Sequence, residues 1–173
     1  LKRGGKGHEM NLIGQIINAM IAYYAGDVRR INHFLKVYGF AKAIGEMEGL
    51  DESTQEIIEI AALTHDIGIK NSEKKYNSPA GNYQQIEGPP EAKKLLAELG
   101  IESGVIDRVC WLIAHHHTYT DIQGIDYQIL VEADFLVNFY EDNMPDAYIE
   151  SFMTKVFVTE TGTEFLKTMY RSQ

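Results

Sequence analysis

Apolar residues recur along most of the chain at the three- and four-residue spacing of an amphipathic helix. The period returns in VRRINHFLKVYGFAKAIGEME, SGVIDRVCWLIAHHH and DYQILVEADFLVNFYED. In the first periodic stretch, NLIGQIINAMIAYYAG, the apolar positions are Leu12, Ile13, Ile16, Ile17, Met20 and Ile21. VFVT is strand-like, but it is too short to found a sheet. The pattern therefore predicts an all-α fold.

Capping residues and glycines mark the expected helix ends. Asp27 is placed to cap the second helix, and Ser53 and Glu56 have the spacing of a capping box for the third. EAKKLLAELG predicts a short helix that ends at Gly100. The C-terminal stretch DAYIESFMTKVFVTETGTEFLKTMYRS predicts two more helices around Gly162.

The longest connection is GIKNSEKKYNSPAGNYQQIEGPP, residues 68–90. Its glycines and prolines predict a loop, and loops of more than ~15 residues in compact domains are usually functional or disordered. It begins two residues after Asp66, and Lys70, Lys74 and Lys75 make its first half basic in an acidic chain. We expect it to be either the rim of an active site or a solvated loop.

Composition bounds the class of protein. The 173 residues suit one domain with a sizeable core, so residues 1–173 are expected to form a single domain. The opening LKRGGKGHEM is interpreted as a disordered basic leader or an expression-tag remnant. It lacks the apolar centre of a signal peptide, and no stretch reaches the ~18 apolar residues of a membrane span. With Cys110 as the single cysteine, these features predict a cytoplasmic protein.

The formal net charge of −9, without a long basic run, argues against binding to nucleic-acid polymers. The negative net charge does not exclude a small anionic substrate, because a bound metal can reverse the sign of the electrostatic field at its site.

Two residues of the types that bind metals in proteins fall on predicted apolar helix faces. His33 lies in line with Val37, Phe40 and Ile44, so it is expected to point inward. Asp134 is a carboxylate on the apolar face of QILVEADFLVNF. Each alone is more often a hydrogen-bonded or paired residue than a ligand.

Further candidates stand at helix ends. EIAALTHDIGIK places His65 and Asp66 in adjacent positions, just before a glycine opens the chain. His116 lies on the core side of its predicted helix, flanked by His115 and His117. An imidazole and a carboxylate side by side are of little use to a core helix.

Taken together, these residues predict a metal site. An unpaired buried carboxylate is costly or takes up a proton, and few lysines or arginines are expected to point inward. A divalent ion would neutralise Asp66 and Asp134 together and use the imidazoles as ligands. Imidazole plus carboxylate suits Fe, Mn, Ni, Co or Zn, and the lack of thiolates excludes a cysteine-type structural zinc site.

The order His33, then His65-Asp66, then Asp134 resembles the ligand pattern of the HD-domain superfamily of metal-dependent phosphohydrolases. RINHFLKVYGFAKAIGEMEGL and IAALTHDIG are similar to the helices that carry the first ligand and the HD pair. VIDRVCWLIAHHH and ILVEADFLVN are similar to the later ones. The resemblance covers residues 27–140. It implies a compact multi-helix bundle, a metal at the crossing of the central helices bound by these four residues, and hydrolysis of phosphate esters.

The chain departs from the two-metal members of that superfamily, which usually carry further histidines between the HD pair and the final Asp. Residues 67–114 contain no histidine, and Glu87 stands about where one such ligand would come. Of the later histidines, His116 is the best candidate, His117 the second and His115 the third. We expect one metal, with a second ion or phosphate contacts at Glu87, His116 and His117 as the alternative.

The resemblance implies a hydrolase that cleaves a phosphate ester of a small molecule, a nucleotide or another phosphomonoester or diester, with a metal-activated water. Asp66 would orient that water or accept its proton. Lys70 would meet the substrate phosphate, unless it is an ordinary solvated lysine. Arg30 is a second candidate for substrate binding; its neighbour Arg29 is not expected to face the site at the same time.

Other functions remain open on the sequence. The chain could be a non-catalytic regulatory HD module that binds a metal or a nucleotide. An oxygen-dependent di-iron enzyme on the same fold is less favoured, because a middle histidine is missing. A plain helical bundle with coincidental polar residues is the last alternative. The motifs typical of nucleotidase-like, cyclic-di-GMP and ppGpp-hydrolysing members are absent, so the substrate stays open.

The C-terminal aromatic residues allow two uses. They either complete the core or build the face of a homodimer, and completion of the core is the more common use. They are Tyr148, Phe152, Phe157, Phe165 and Tyr170.

Overall fold

The computed structural model describes residues 11–170, and within them the chain forms nine helices and no strand. The predicted leader at residues 1–10 lies outside the described residues. The helices are α1 (Leu12–Tyr23), α2 (Val28–Met47), α3 (Glu52–Thr64), α4 (Ile69–Tyr76), α5 (Gly81–Glu98), α6 (Ser103–His115), α7 (Ile125–Glu141), α8 (Asp146–Lys155) and α9 (Glu160–Tyr170). The prediction of an all-α fold is confirmed.

Helix α7 is the centre of the bundle. Every residue from Asp126 to Val137 is buried, as is typical of a helix with neighbours on all sides. Helices α2 and α3 both pack against α7 and against each other. The end of α3 is equally enclosed, since the residues from Ile58 to Thr64 are buried. Polar side chains at this three-helix crossing are therefore held in a low-dielectric interior.

The caps of α2 and α3 differ in how well they were predicted. Asp27 caps α2 by accepting a hydrogen bond from the Arg30 amide at 3.1 Å, as expected. The prediction of a capping box at Ser53 is wrong, because Asp51 caps α3 and accepts a hydrogen bond from the Thr54 amide at 3.0 Å. Since an aspartate caps as well as a serine, the helix starts two residues earlier and Ser53 lies within its first turn.

The predicted loop at residues 68–90 is wrong, because α4 and α5 fill most of it. Two glycines in this segment mark close contacts and not a loop. A β-carbon at Gly68 would lie 2.7 Å from the Gly88 nitrogen, and one at Gly88 would lie 2.5 Å from Ile113 Cγ2. Helix α5 also continues through two consecutive prolines. Its packing against α4 and α6 outweighs their cost.

The C-terminal region forms two helices, but they do not meet at Gly162. The break is at residues 156–159, and Gly162 lies in the first turn of α9. The fully buried carboxylate of Glu132 fixes this break, since it accepts hydrogen bonds from the Val158 amide at 2.7 Å and the Thr159 amide at 3.0 Å.

The C-terminal aromatic residues contribute to the core. Around the buried ring of Phe139 lie Phe152, Phe157 and Tyr170, at centroid distances of 6.0, 6.3 and 5.8 Å. Tyr148, at the edge of this cluster, stays 44% exposed.

No helix in the described part of the chain is long and apolar enough to cross a membrane.

Candidate metal centre

Three helices bring four polar side chains to one point. His33 comes from α2, His65 and Asp66 from the turn that ends α3, and Asp134 from α7. His33 Nε2 lies 3.2 Å from His65 Nε2, 3.2 Å from Asp66 Oδ2 and 3.1 Å from Asp134 Oδ1. His65 Nε2 lies 3.4 Å from each of the same two carboxylate oxygens. Donor atoms bound ~2.0–2.2 Å from a common ion are ~3.0–3.5 Å apart, so this is the spacing of a coordination shell.

A tight turn lets two adjacent residues reach that point. Helix α3 ends at Thr64, and the Ile67 and Ile69 amides then bond to carbonyls three residues back, at 3.0 Å each. Tyr24 donates its hydroxyl to the Asp66 carbonyl at 2.7 Å and holds the turn against α1. The side chains of His65 and Asp66, which would diverge by ~100° on a regular helix, thereby converge.

Each imidazole is oriented through its second nitrogen. His65 Nδ1 lies 2.8 Å from the Ala62 carbonyl, and His33 Nδ1 lies 3.1 Å from Glu141 Oε2. Because carbonyl and carboxylate oxygens only accept, each Nδ1 carries a hydrogen and each Nε2 faces the centre. Glu141 is itself held by Lys36, whose Nζ is 2.6 Å from Oε1.

The charges of the centre compensate one another. Burial raises the pKa of Asp66 and Asp134, but the neighbouring histidines outweigh it and hold both pKa values below their ordinary range. Burial lowers the pKa of His33, yet Asp134, Asp66 and Glu141 raise that pKa to about 10. The proton on His33 thus supplies positive charge that a bound cation would supply. Two imidazole nitrogens and two carboxylate oxygens fit a divalent transition ion.

A second group of donors adjoins the first. Atoms of Asp66, His116 and His117 lie within 4.8 Å of one another. His116 Nδ1 lies 2.7 Å from the Ile113 carbonyl, so its Nε2 faces Asp66 Oδ1 at 3.5 Å. That Nε2 is buried and has no hydrogen-bond partner among the described residues. Burial and the nearby His116 lower the pKa of His117 to about 4.

The four converging side chains lie beside a cleft of about 470 Å³. Its wall includes both Arg29 and Arg30, so the expectation that only one of them could face the site is wrong. Both stand in the first turn of α2, where their long side chains reach different acids. Arg29 pairs with Asp142 at 3.3 Å, and Arg30 pairs with Asp27 at 2.8 Å.

Three candidate residues are not brought to the centre. Lys70 points away from the centre and donates to the Tyr23 carbonyl at 3.0 Å. Its neighbour Ile69 is the residue that lines the cleft in this part of the described chain. Glu87 is held by Lys75 at 2.6 Å and by the Tyr76 hydroxyl at 3.0 Å. The ring of His115 stacks on Trp111 with centroids 4.0 Å apart. Within residues 11–170, neither group of donors includes these three.

Other residues at the centre were not anticipated. Asn138 donates to Asp134 Oδ1 at 3.0 Å, and Glu141 orients His33. Both could have been found, because they follow Asp134 by four and seven residues on one helix face. Gln84, whose Oε1 lies 3.1 Å from His117 Nε2, gave no such signal, since it falls in the segment predicted as a loop.

Comparisons with known proteins identify the family and the fold of the chain. A family model of the HD domain matches residues 30–147. The crystal structure of a predicted HD superfamily hydrolase from an uncultured Thermotogales bacterium superposes with a TM-score of 0.64 at 21% sequence identity. The match covers 89% of this chain and 82% of that one, and at this identity it is evidence of the fold alone. No curated protein matches the chain.

Proposed function

The chain belongs to the HD-domain family, and from this premise we propose that it is a metal-dependent phosphohydrolase that cleaves a phosphate ester of a small molecule. The observation that carries the proposal is the convergence of His33, His65, Asp66 and Asp134, whose donor atoms lie 3.1–3.4 Å from one another in the pairs that involve a histidine. These residues would hold one divalent ion of Fe, Mn, Ni, Co or Zn.

Asp66 has two oxygens with different surroundings. Oδ2 faces His33 and His65, while Oδ1 faces His116 Nε2 at 3.5 Å. A bound ion would polarise a phosphoryl oxygen and lower the pKa of the attacking water. With Oδ2 turned to the centre, Asp66 is free to orient that water or accept its proton through Oδ1. The unpartnered nitrogen of His116 is a second acceptor beside it.

The arginines of the cleft support a phosphorylated substrate. Arg30 lies one helical turn before His33 and is held between Asp27 at 2.8 Å and Glu73 at 2.5 Å. We assign it the contact with the substrate phosphate, with Arg29 as the second cation at the rim. Because both arginines are already paired, the phosphate must compete with their carboxylate partners.

The size of the cleft supports a small molecule. Its volume of about 470 Å³ lies within the ~300–1,000 Å³ of small-ligand sites. The acidic balance of the chain argues against a nucleic-acid polymer. A nucleotide, another phosphomonoester and a phosphodiester all remain within this class.

Turnover tests the proposal. Metal-loaded protein would be assayed with Mn²⁺ against p-nitrophenyl phosphate, bis-p-nitrophenyl phosphate and a set of nucleotides. Hydrolysis that is lost in Asp66→Ala is the expected result. Glu87→Gln is the matched control, because it alters a buried carboxylate that lies outside the centre, and it should keep activity. Metal binding without turnover of any of these substrates would favour the non-catalytic regulatory module.

A further inference from the structure

We propose that Gln84 restricts the centre to one metal ion, by holding His117 in the tautomer whose Nε2 carries a hydrogen and so cannot bind metal. The inference rests on the proposed function and deepens it, because it assigns the donors around Asp66 to different tasks. Gln84 and His117 both line the cleft. The position of the hydrogen on His117 follows from which neighbouring atoms can donate and which can only accept.

The amide of Gln84 has a fixed orientation. Its Nε2 donates to the Pro79 carbonyl at 2.7 Å, and a carbonyl oxygen can only accept. The amide oxygen is therefore the atom that faces His117 Nε2, at 3.1 Å. Because this oxygen also only accepts, His117 Nε2 must carry the hydrogen. A nitrogen that carries a hydrogen has no lone pair for a metal.

The ring of His117 is also held in place by its neighbours. A β-carbon at Gly81 would lie 2.6 Å from the ring, so the start of α5 lies directly against it. The backbone amide of His117 donates to Gln85 Oε1 at 3.2 Å. On the other side, the rings of His116 and His117 have centroids 3.9 Å apart. Nδ1 keeps the lone pair, but it lies 3.4 Å from the Tyr119 hydroxyl, which can donate to it.

Without His117, the second group of donors is incomplete. Asp66 Oδ1 and His116 Nε2 remain, which is too few for a tight transition-metal site that usually takes at least three protein ligands. His116 Nε2 then stays available as a hydrogen-bond acceptor beside Asp66 Oδ1. His117 and Gln84 form a neutral polar wall instead of part of a second coordination shell.

Metal stoichiometry tests this inference. Metal-stripped full-length protein would be titrated with Mn²⁺ and analysed by equilibrium dialysis and elemental analysis. The wild type should bind one equivalent. Gln84→Leu removes the acceptor that holds the hydrogen on His117 Nε2, so His117 can join Asp66 and His116 as a third donor and the variant should bind a second equivalent. Gln85→Leu is the matched control, because it makes the same change one residue away, and it should stay at one.

A second variant keeps the inference testable if Gln84→Leu does not fold. His117→Gln removes an imidazole that we assign no ligand role, so Mn²⁺ affinity should change less than about twofold, whereas loss of a true ligand costs far more. Histidine ¹⁵N spectra with bound Zn²⁺ should show His117 protonated at Nε2.

Two equivalents in the wild type, one in Gln84→Leu, or a loss of ten-fold or more in His117→Gln would overturn the restriction to one ion and leave the hydrolase proposal standing. No metal binding in the wild type would overturn the proposed function itself.

Discussion

His33 depends on a residue that no motif contains. Its Nδ1 lies 3.1 Å from Glu141, and Lys36 lies 2.6 Å from the other oxygen of that carboxylate. These two contacts fix the His33 ring so that its Nε2 points at His65 and Asp134. The hydrogen bonds behind a ligand therefore decide whether a histidine can serve as one.

Replacing Glu141 should weaken metal binding. We expect Glu141→Ala to lower the affinity for Mn²⁺ or Zn²⁺ by about 10–100-fold, because His33 loses the partner that orients it. Glu141→Gln keeps an acceptor and should lose less. Competition with a fluorescent chelator measures both. Glu46→Ala is the control, because it removes a carboxylate that pairs with Lys42 outside the centre. An unchanged affinity in Glu141→Ala would contradict the role of Glu141 in orienting His33.

Metal uptake should release protons. In the metal-free protein the carboxylates raise the pKa of His33 from 6.5 to about 10, so His33 is charged at neutral pH. This charge stabilises the metal-free fold fully below pH 6.5, and the stabilisation is lost as the pH rises through 10. A metal must displace the proton, so affinity should rise with pH across the neutral range. Calorimetry in buffers of different ionisation enthalpy should detect about one proton or more per ion, and none would contradict this account.

At the scale of elements, the predictable helices were those with an uninterrupted apolar period. Helices α2, α6 and α7 follow from this period, and it placed His33 and Asp134 on inward faces. Helix α4 and the first half of α5 did not follow, because the glycines and prolines of residues 68–90 have the composition of a loop. The second half of α5 was predicted as a short helix from EAKKLLAELG. Gly68 and Gly88 in fact mark a contact between two chain segments, which depends on residues far apart in sequence. Gln84 was missed for the same reason.

Alanine at Gly68 should disrupt this contact. Its β-carbon would lie 2.7 Å from the backbone at Gln84 and Gly88, and backbone atoms cannot yield as a side chain can. We expect Gly68→Ala to destabilise the protein by about 2 kcal/mol or more. Gly39→Ala is the matched control, because no described atom would lie within 4 Å of its β-carbon, and it should stabilise α2 by up to about 1 kcal/mol. Thermal unfolding measures both, and equal effects would contradict the close contact.

At the scale of the whole molecule, the helices that form the core of the bundle also carry the residues of the candidate metal centre. Buried α7 supplies Asp134, and the helices packed on it supply the remaining donors. The carboxylates are enclosed together, so the folded chain concentrates negative charge that protons or a cation must offset. A ligand that binds only the folded state stabilises it, by about 2.7 kcal/mol at a hundred times its dissociation constant.

Bound metal should therefore raise the melting temperature. We expect stripped protein with saturating Mn²⁺ to unfold at a higher temperature than without it, by about 2–4 °C per kcal/mol for a chain of this length. Asp134→Asn should lose the increase, while Glu87→Gln should keep it. The same increase in Asp134→Asn would place the binding elsewhere on the molecule.

Metal content tests the central claim most directly. The protein would be purified without a histidine tag or chelator and analysed for transition metals. We expect about one equivalent, lost in His65→Ala and Asp134→Ala and retained in Glu87→Gln. If the wild type carries no metal and takes up none of Mn²⁺, Fe²⁺, Co²⁺, Ni²⁺ or Zn²⁺ on titration, the four converging side chains are not a metal centre and the account is contradicted.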